Sequence, residues 1–313
     1  MVRTDNYWRS MGKIGYDGAI MGRRSQGVEI LARGPYAAHN LITNTVNSGQ
    51  ELPAVIDFAK KQRLRELQQA AEASGGKLFN GKNYGLRTYL ITATPEPALH
   101  LGFAITDYFD SLIIDRGLNR KLNYGGRDAS LRQHLFGEDT EVPRLSPYMA
   151  NLFGIGCLII TSDNYALITK RSGETNVYRN AYSASIDESA AYPEDSDGKG
   201  GVDLVGMVQR GSREELAWDL RADEIRFLSL GHSLLYNQYF LLAIAKIAAS
   251  RAEMHIHLCN TVAVDAWEKT EVHFVPWNLF DLGGFWQHTT LGWQLRFWKR
   301  CVISLDWRQL SAC

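Results

Sequence analysis

The chain has 313 residues, 45% of them hydrophobic, and its 34 Lys and Arg are balanced by 34 Asp and Glu. That is enough apolar content for a buried core and enough length for two domains. Zero formal charge without a basic stripe argues against a duplex nucleic-acid binder, while leaving room for a small anion held locally.

The opening residues, Met1-Val2-Arg3-Thr4-Asp5-Asn6, lead into polar sequence and do not read as a secretory signal. The longest apolar stretches, 151–161 and 239–250, fall short of the ~20 residues a bilayer-crossing helix needs. The expectation is a soluble, cytoplasmic protein with no membrane partner. Cys157, Cys259, Cys301 and Cys313 are far apart and form no C-x-x-C pair, so they are expected as free thiols.

Residues 19–23 and 28–33 alternate enough to be short strands before Gly34-Pro35 breaks the chain. A helix is expected over 52–73: Pro53 stands at its start, and Val55, Phe58, Leu64, Leu67 and Ala71 interleave with Lys60, Lys61, Arg63, Arg65 and Glu66. Ser74-Gly75-Gly76 ends it. Strands follow at 84–93 and 98–105, then a short helix at 108–116. The polar stretch 138–147 is read as a boundary between a domain at 1–146 and one at 147–313.

The second half opens with a hairpin, 152–161 and 165–170 around Ser162-Asp163-Asn164. A strand at 181–186, a loop at 193–201 and a helix at 203–218 capped by Asp203 come next. Further strands are expected at 225–230, 238–247, 255–264 and 272–275. If 255–264 is a strand, His255, His257 and Cys259 share one face, a weak zinc arrangement because side chains from one flat strand diverge. The aromatic tail (Phe285, Trp286, Trp293, Phe297, Trp298 and Trp307) is expected to include helix. The order is that of an α+β fold.

One stretch points narrowly at chemistry: Arg210-Gly211-Ser212-Arg213-Glu214-Glu215-Leu216-Ala217-Trp218. Residues four apart on a helix share a face, so Arg210 lies one turn before Glu214. Adjacent carboxylates on a rigid helix suit Mg²⁺, which takes hard oxygen ligands together with substrate phosphates. The bland alternative is a solvated, salt-bridged helix face. Arg171 and Arg179, after the hairpin, are candidates for phosphate contacts, Glu268 for a general base, and Tyr182 or Trp218 for stacking on a base.

This stretch resembles the signature helix of the Nudix hydrolases, G-x5-E-x7-R-E-U-x-E-E-x-G-U with U aliphatic. Arg210 takes the arginine, Glu214 and Glu215 the paired glutamates, and Trp218 the last apolar position. The run 148–156, with Ile159-Ile160 and Ala166-Leu167-Ile168-Thr169-Lys170-Arg171-Ser172, looks like that fold's opening hairpin. Leu78-Phe79-Asn80-Gly81 and Ile105-Thr106-Asp107-Tyr108 look like members with an extra N-terminal domain, such as the UDP-glucose-cleaving type. Gly211 stands where the first helix glutamate belongs, and Ala217 replaces the glycine that ends the helix. The upstream glycine-glutamate portion lacks its usual spacing, and Asp187 or Glu188 is expected to supply the lost carboxylate from a loop.

The resemblance implies a C-terminal α/β/α sandwich with a mixed sheet, preceded by a smaller α+β domain. It implies Mg²⁺ (or Mn²⁺) at Glu214 and Glu215, Arg210 orienting Glu214, Glu188 or Glu268 as base, and a nucleoside diphosphate linked to another moiety as substrate. A homodimer is compatible with it. A domain that keeps the fold and binds a nucleotide without cleaving it is the alternative.

Overall fold

The computed structural model describes residues 28–46, 51–75, 78–92, 96–137, 144–175, 179–234, 236–278, 281, 282 and 285. The strand expected at 19–23 and most of the aromatic tail lie outside these.

The site is built on a sheet of eight strands among the described residues. Its centre is β7 (Phe153–Ile160), buried along its whole length. An unbroken apolar run suits a strand covered on both faces, and β7 pairs in parallel with β12 (Gln238–Lys246). Outward from β12 lie β11 (Ile225–Ser233) and β1 (Val28–Tyr36). The expected boundary near 146 is thus crossed by β1, which the first part of the chain adds to the edge of this sheet.

On the other side of β7, the hairpin with β8 (Tyr165–Arg171) closes only at its turn, through Ile159 with Leu167 and Ile160 with Ala166. Asn164 in that turn has φ 60, a left-handed position Asn tolerates. Beyond the turn the two strands part. The strand expected at 181–186 is two short ones that fill the gap: β9 (Tyr182–Ser183) pairs with β8 and β10 (Ile186–Ser189) with β7. Ser185, at the bend between them, accepts the Ile159 N–H at 2.8 Å and donates to Leu167 O. The edge beyond β8 is β13 (Lys269–Pro276).

The first part of the chain supplies a three-stranded sheet, β2 (Leu41–Thr45), β4 (Ala98–Asp107) and β3 (Lys82–Thr92) in that order. It also supplies a hairpin of β5 (Lys121–Tyr124) and β6 (Arg127–Ser130), with α1 (Ala54–Ala73) and α2 (Leu131–Phe136). The expected helix at 108–116 is present as helical turns over 108–115. Phe103 and Tyr84 share one core with Phe153 and Ile155 of β7 and with Leu204, Met207 and Val208 of α3 (Leu204–Leu216). The three-stranded sheet and α3 therefore cover the same face of the main sheet. A second cluster, with Leu158, Ile160, Phe240 and Leu242, lines the opposite face and includes Trp277 and Leu282.

One expected strand is a helix. Residues 251–260 form α4 (Arg251–Asn260), started by a capping box in which the Ser250 side chain meets the Glu253 N–H and Glu253 reaches back to Ser250 N. His255, His257 and Cys259 therefore lie on a helix, where residues two apart point away from each other, so the three do not share a face. His257 Nε2 donates to Leu216 O, 3.1 Å away, while Cys259 Sγ lies 3.8 Å from His255 Nδ1. The zinc arrangement falls with the strand. No helix among the described residues is long and apolar enough to cross a membrane.

Candidate functional site

The helix that carries the paired glutamates is defined at both ends by local chemistry. Asp203 accepts the Gly206 N–H at 2.8 Å and caps the start of α3. At the far end Ala217 takes φ 51, ψ 34, a left-handed residue without glycine's freedom. Its N–H and that of Trp218 close the last turn onto Arg213 O and Ser212 O. Between these ends the helix buries Leu204, Met207, Val208, Gly211, Ser212, Glu215 and Leu216. The glutamates thus do not project together as the sequence suggests. One residue on a helix is a rotation of ~100°, so Glu215 turns inward, its side chain 5% exposed, and Glu214 stays on the rim at 35%.

Opposite the buried face of α3 lies β10. A Cβ on Gly211 would stand 2.3 Å from Glu188 Cγ and 2.6 Å from Ile186 Cγ2. Glycine at 211 therefore lets the Glu188 side chain lie across the helix, in the place a helix carboxylate at 211 would take. Glu188 stands on a strand and not on the loop where the sequence placed it.

Arg210 is the hub. Its Nη1 lies 3.0 Å from Glu188 Oε2 and 2.7 Å from Glu214 Oε2. Its Nε and Nη2 donate to the two oxygens of Asp195 at 2.9 and 3.0 Å, and Nη2 also reaches Ser189 O at 3.2 Å. A planar fork meeting carboxylates on three sides is a task for arginine and not for lysine. Burial works against the Arg210 charge, and Asp195, Glu188 and Glu214 more than offset it, so its pKa is raised. For Glu188, burial comes first and the Glu215 charge second, with Arg210 opposing; its carboxyl is pushed well above the ordinary glutamate range.

Glu215 is fixed from two sides. Its Oε1 accepts the Asp187 N–H at 2.8 Å, and its Oε2 lies 2.5 Å from Lys269 Nζ. The neighbouring Arg171 Nη1 lies 3.1 Å from Asp187 Oδ2, and Nη2 lies 3.5 Å from Glu268 Oε2. Burial raises the Glu268 pKa, Arg171 lowers it, and the Glu215 and Asp187 charges add to the rise. Arg171, Glu188, Arg210, Glu214, Glu215 and Glu268 thus form one connected set. Arg179 is exposed, donates its Nε–H to Thr175 O at 2.9 Å, and enters none of these pairs among the described residues. Tyr182 packs edge-on against His273 and Phe285, and Trp218 edge-on against His257.

Two members of the set escaped the sequence reading. Asp195 lies in the polar loop 193–201, yet is only 3% exposed; its partner is fifteen positions away, and no local pattern marks it. Lys269 adjoins the singled-out Glu268 but reads as an ordinary surface lysine.

Carboxylates in this set outnumber cations. Asp187, Glu188, Asp195, Glu214, Glu215 and Glu268 face Arg171, Arg210 and Lys269. Three hard-oxygen side chains with surplus negative charge are the donor chemistry a Mg²⁺ ion takes. As the side chains stand, each of Glu188, Glu214 and Glu215 is turned onto a protein cation. Among the described residues no group of three His, Cys, Asp or Glu side chains forms an open metal set.

A mixed sheet, a hairpin at its centre and a helix carrying Arg210 and the paired glutamates are the features the sequence resemblance implies. The fold is α+β, with a mixed sheet and α3 laid against it. No protein family's sequence profile matches the chain, and no curated protein matches it. Among solved structures, it is similar to a Deinococcus radiodurans protein at 12% identity and a TM-score of 0.34, over 48% of this chain and 82% of that one. A MutT protein from Methanosarcina mazei Go1 stands at 13% and 0.32, over 48% and 90%. The NUDIX domain of Shewanella oneidensis NrtR, solved with ADP ribose, stands at 12% and 0.30, over 48% and 85%. The site stands on its own geometry, independently of these likenesses.

Proposed function

We propose that the Nudix-like unit is a hydrolase of the phosphoanhydride in a nucleoside diphosphate linked to another group: a nucleotide sugar, a dinucleotide or a nucleoside triphosphate. Mg²⁺, or Mn²⁺ in its place, would be held by Glu188, Glu214 and Glu215. The observation that carries this reading is Glu188 lying across Gly211, which restores a third carboxylate beside the pair on α3. A divalent ion bound there neutralises diphosphate charge and activates water.

The chain's own residues do the rest. Arg210 holds Glu188 and Glu214 at one guanidinium nitrogen and is itself locked by Asp195. Glu268, raised by burial, takes the proton from the attacking water at its carboxylate. Arg171 keeps Glu268 oriented, and so serves as a positioning residue here and not as a free phosphate contact. Arg179 remains the exposed candidate for the substrate's outer phosphate. The units proposed at 1–146 and 147–313 are joined by β1, which the first lends to the sheet of the second.

The test is turnover. With Mg²⁺, nucleotide sugars, dinucleotides and nucleoside triphosphates are offered to the protein and to Glu188→Gln, Glu214→Gln and Glu215→Gln. Hydrolysis of at least one class, cut by 100-fold or more in each variant, is expected. Turnover of none, or turnover indifferent to all three changes, defeats the reading. A second reading is favoured by the Lys269–Glu215 pair: a nucleotide-binding module that does not cleave. Calorimetry separates them, since binding at equal affinity with and without Mg²⁺, and no product, selects the module.

A further inference from the structure

Lys269 is aimed at the site by an irregularity in its strand. β13 pairs with β8 as Lys269 with Arg171 and then Glu271 with Lys170, so Thr270 is an extra residue in the ladder. Strict alternation along β13 would put Lys269 on the face of Glu271 and His273, where Glu271 meets Lys170 and the Tyr182 hydroxyl. The bulge reverses it onto the face of Phe274, which is half-buried and packs against the core cluster to which α3 contributes. Re-aiming a side chain next to a site is a recurring use of bulges. The result is an ammonium 10% exposed, 2.5 Å from Glu215 Oε2 and donating to Ser185 O at 2.6 Å. Glu215 is pre-set for it, because the Asp187 N–H holds Oε1 and leaves Oε2 to the cation. Ser185 is pinned as well, by its bonds to β7 and β8.

We propose that Lys269 is a built-in competitor for the divalent cation. Its ammonium holds the Glu215 carboxylate in the metal-free protein, and a metal ion binds there by displacing it. The inference rests on the metal reading above. It adds that the metal-free site is closed by the chain itself, and that metal affinity is set by Lys269 as well as by the carboxylates. On release the ammonium swings away from Oε2 while Ser185 O still accepts from it, so the displaced charge keeps one fixed partner. A purely structural Lys269–Glu215 pair would anchor β13 to α3 and have no effect on metal affinity.

Mn²⁺ binding to the full chain, followed by electron paramagnetic resonance of free Mn²⁺ and by calorimetry, decides between them. Lys269→Met is expected to bind Mn²⁺ at least tenfold more tightly than the wild type, and the gain is expected to vanish when Glu215→Gln is added. Unchanged or weaker binding by Lys269→Met overturns the proposal. If the wild type hydrolyses a substrate with Mg²⁺ yet Lys269→Met gains no affinity, this inference fails alone. If neither protein binds Mn²⁺, the metal reading fails with it. Should Lys269→Met not fold, wild-type protein is labelled with an amine-reactive acetylating reagent and peptides are weighed. Saturating Mn²⁺ is expected to raise modification of Lys269 severalfold, and equal modification with and without metal overturns the proposal.

Discussion

At the scale of single residues, Gly211 is the position where packing and chemistry meet. Alanine there would gain about 1 kcal/mol of helix propensity. Against that, its Cβ would meet Glu188 Cγ at 2.3 Å and Ile186 Cγ2 at 2.6 Å, both on a strand paired with the central β7. Overpacking of this kind costs about 1–3 kcal/mol, so the clash wins. Gly211→Ala is expected to lower stability by up to about 2 kcal/mol in urea unfolding and to cut turnover by displacing Glu188. Adding Glu188→Ala removes one of the two colliding atoms and should recover part of the loss, a coupling a double-mutant cycle reads. Gly211→Glu, which puts back the signature residue, should fare worse than alanine, since Glu188 already fills the space. A Gly211→Ala protein as stable as the parent would show that Glu188 does not rest on the helix.

At the scale of elements, α3 shows what a sequence discloses and what it hides. Its cap at Asp203 and its length were legible, because each is written in a few consecutive residues, while the left-handed turn at Ala217 was not, since alanine does not announce it. Ala217 in that last position bears the steric cost of a left-handed residue, on the order of 1 kcal/mol, in order to close the turn onto Arg213 O and Ser212 O. Ala217→Gly is therefore expected to raise the melting temperature by about 1–3 °C and leave turnover unchanged; a lower melting temperature would mean the turn does not depend on this conformation. The hairpin of β7 and β8 was also legible, but its splitting by β9 and β10 was not. That depends on Ser185 serving Ile159 N and Leu167 O, partners 26 and 18 positions away. The error at α4 is different, since the signal was present: Ser250 and Glu253 spell a capping box, and β-like alternation over His255–Cys259 masked it. Lys269 and Asp195 lay beyond reach for a third reason. A buried ion pair leaves no trace in sequence when its partners sit on separate elements.

At the scale of the whole molecule, the two parts of the chain are held together by a buried carboxylate as well as by apolar packing. Phe103 of β4 meets Phe153 of β7 edge-on, with ring centroids 4.9 Å apart. Beside this core, Asp115 from the first part accepts the N–H groups of Ala150 and Asn151 at 2.9 Å each, where the chain enters β7. Asn237 at the start of β12 donates to Asn151 Oδ1 at 2.9 Å and stands 2.9 Å from His232 Nε2. Burial pushes the Asp115 pKa up to about 7, against the bonds from Ala150, Asn151 and Asn237 and the charge of Arg87. An unfolded aspartate titrates near 3.9. Between about pH 4 and pH 7 the folded protein therefore holds a proton that the unfolded chain has lost, and stability falls as pH rises through that window. Above pH 7 both states are ionised and this contribution no longer changes. A difference of about three pKa units corresponds to about 4 kcal/mol between the two ends, an upper figure for a single group. Glu188 and Glu268 are also raised by burial and act in the same direction, so the Asp115 share must be isolated by substitution. Asp115→Asn cannot ionise. It loses one acceptor and is expected to be the less stable protein at pH 5, but with a shallower fall between pH 5 and pH 8. Urea unfolding of both proteins across that range measures the two slopes; parallel slopes would show that Asp115 is ionised in the folded protein throughout, and that the junction between the two parts carries a fixed charge.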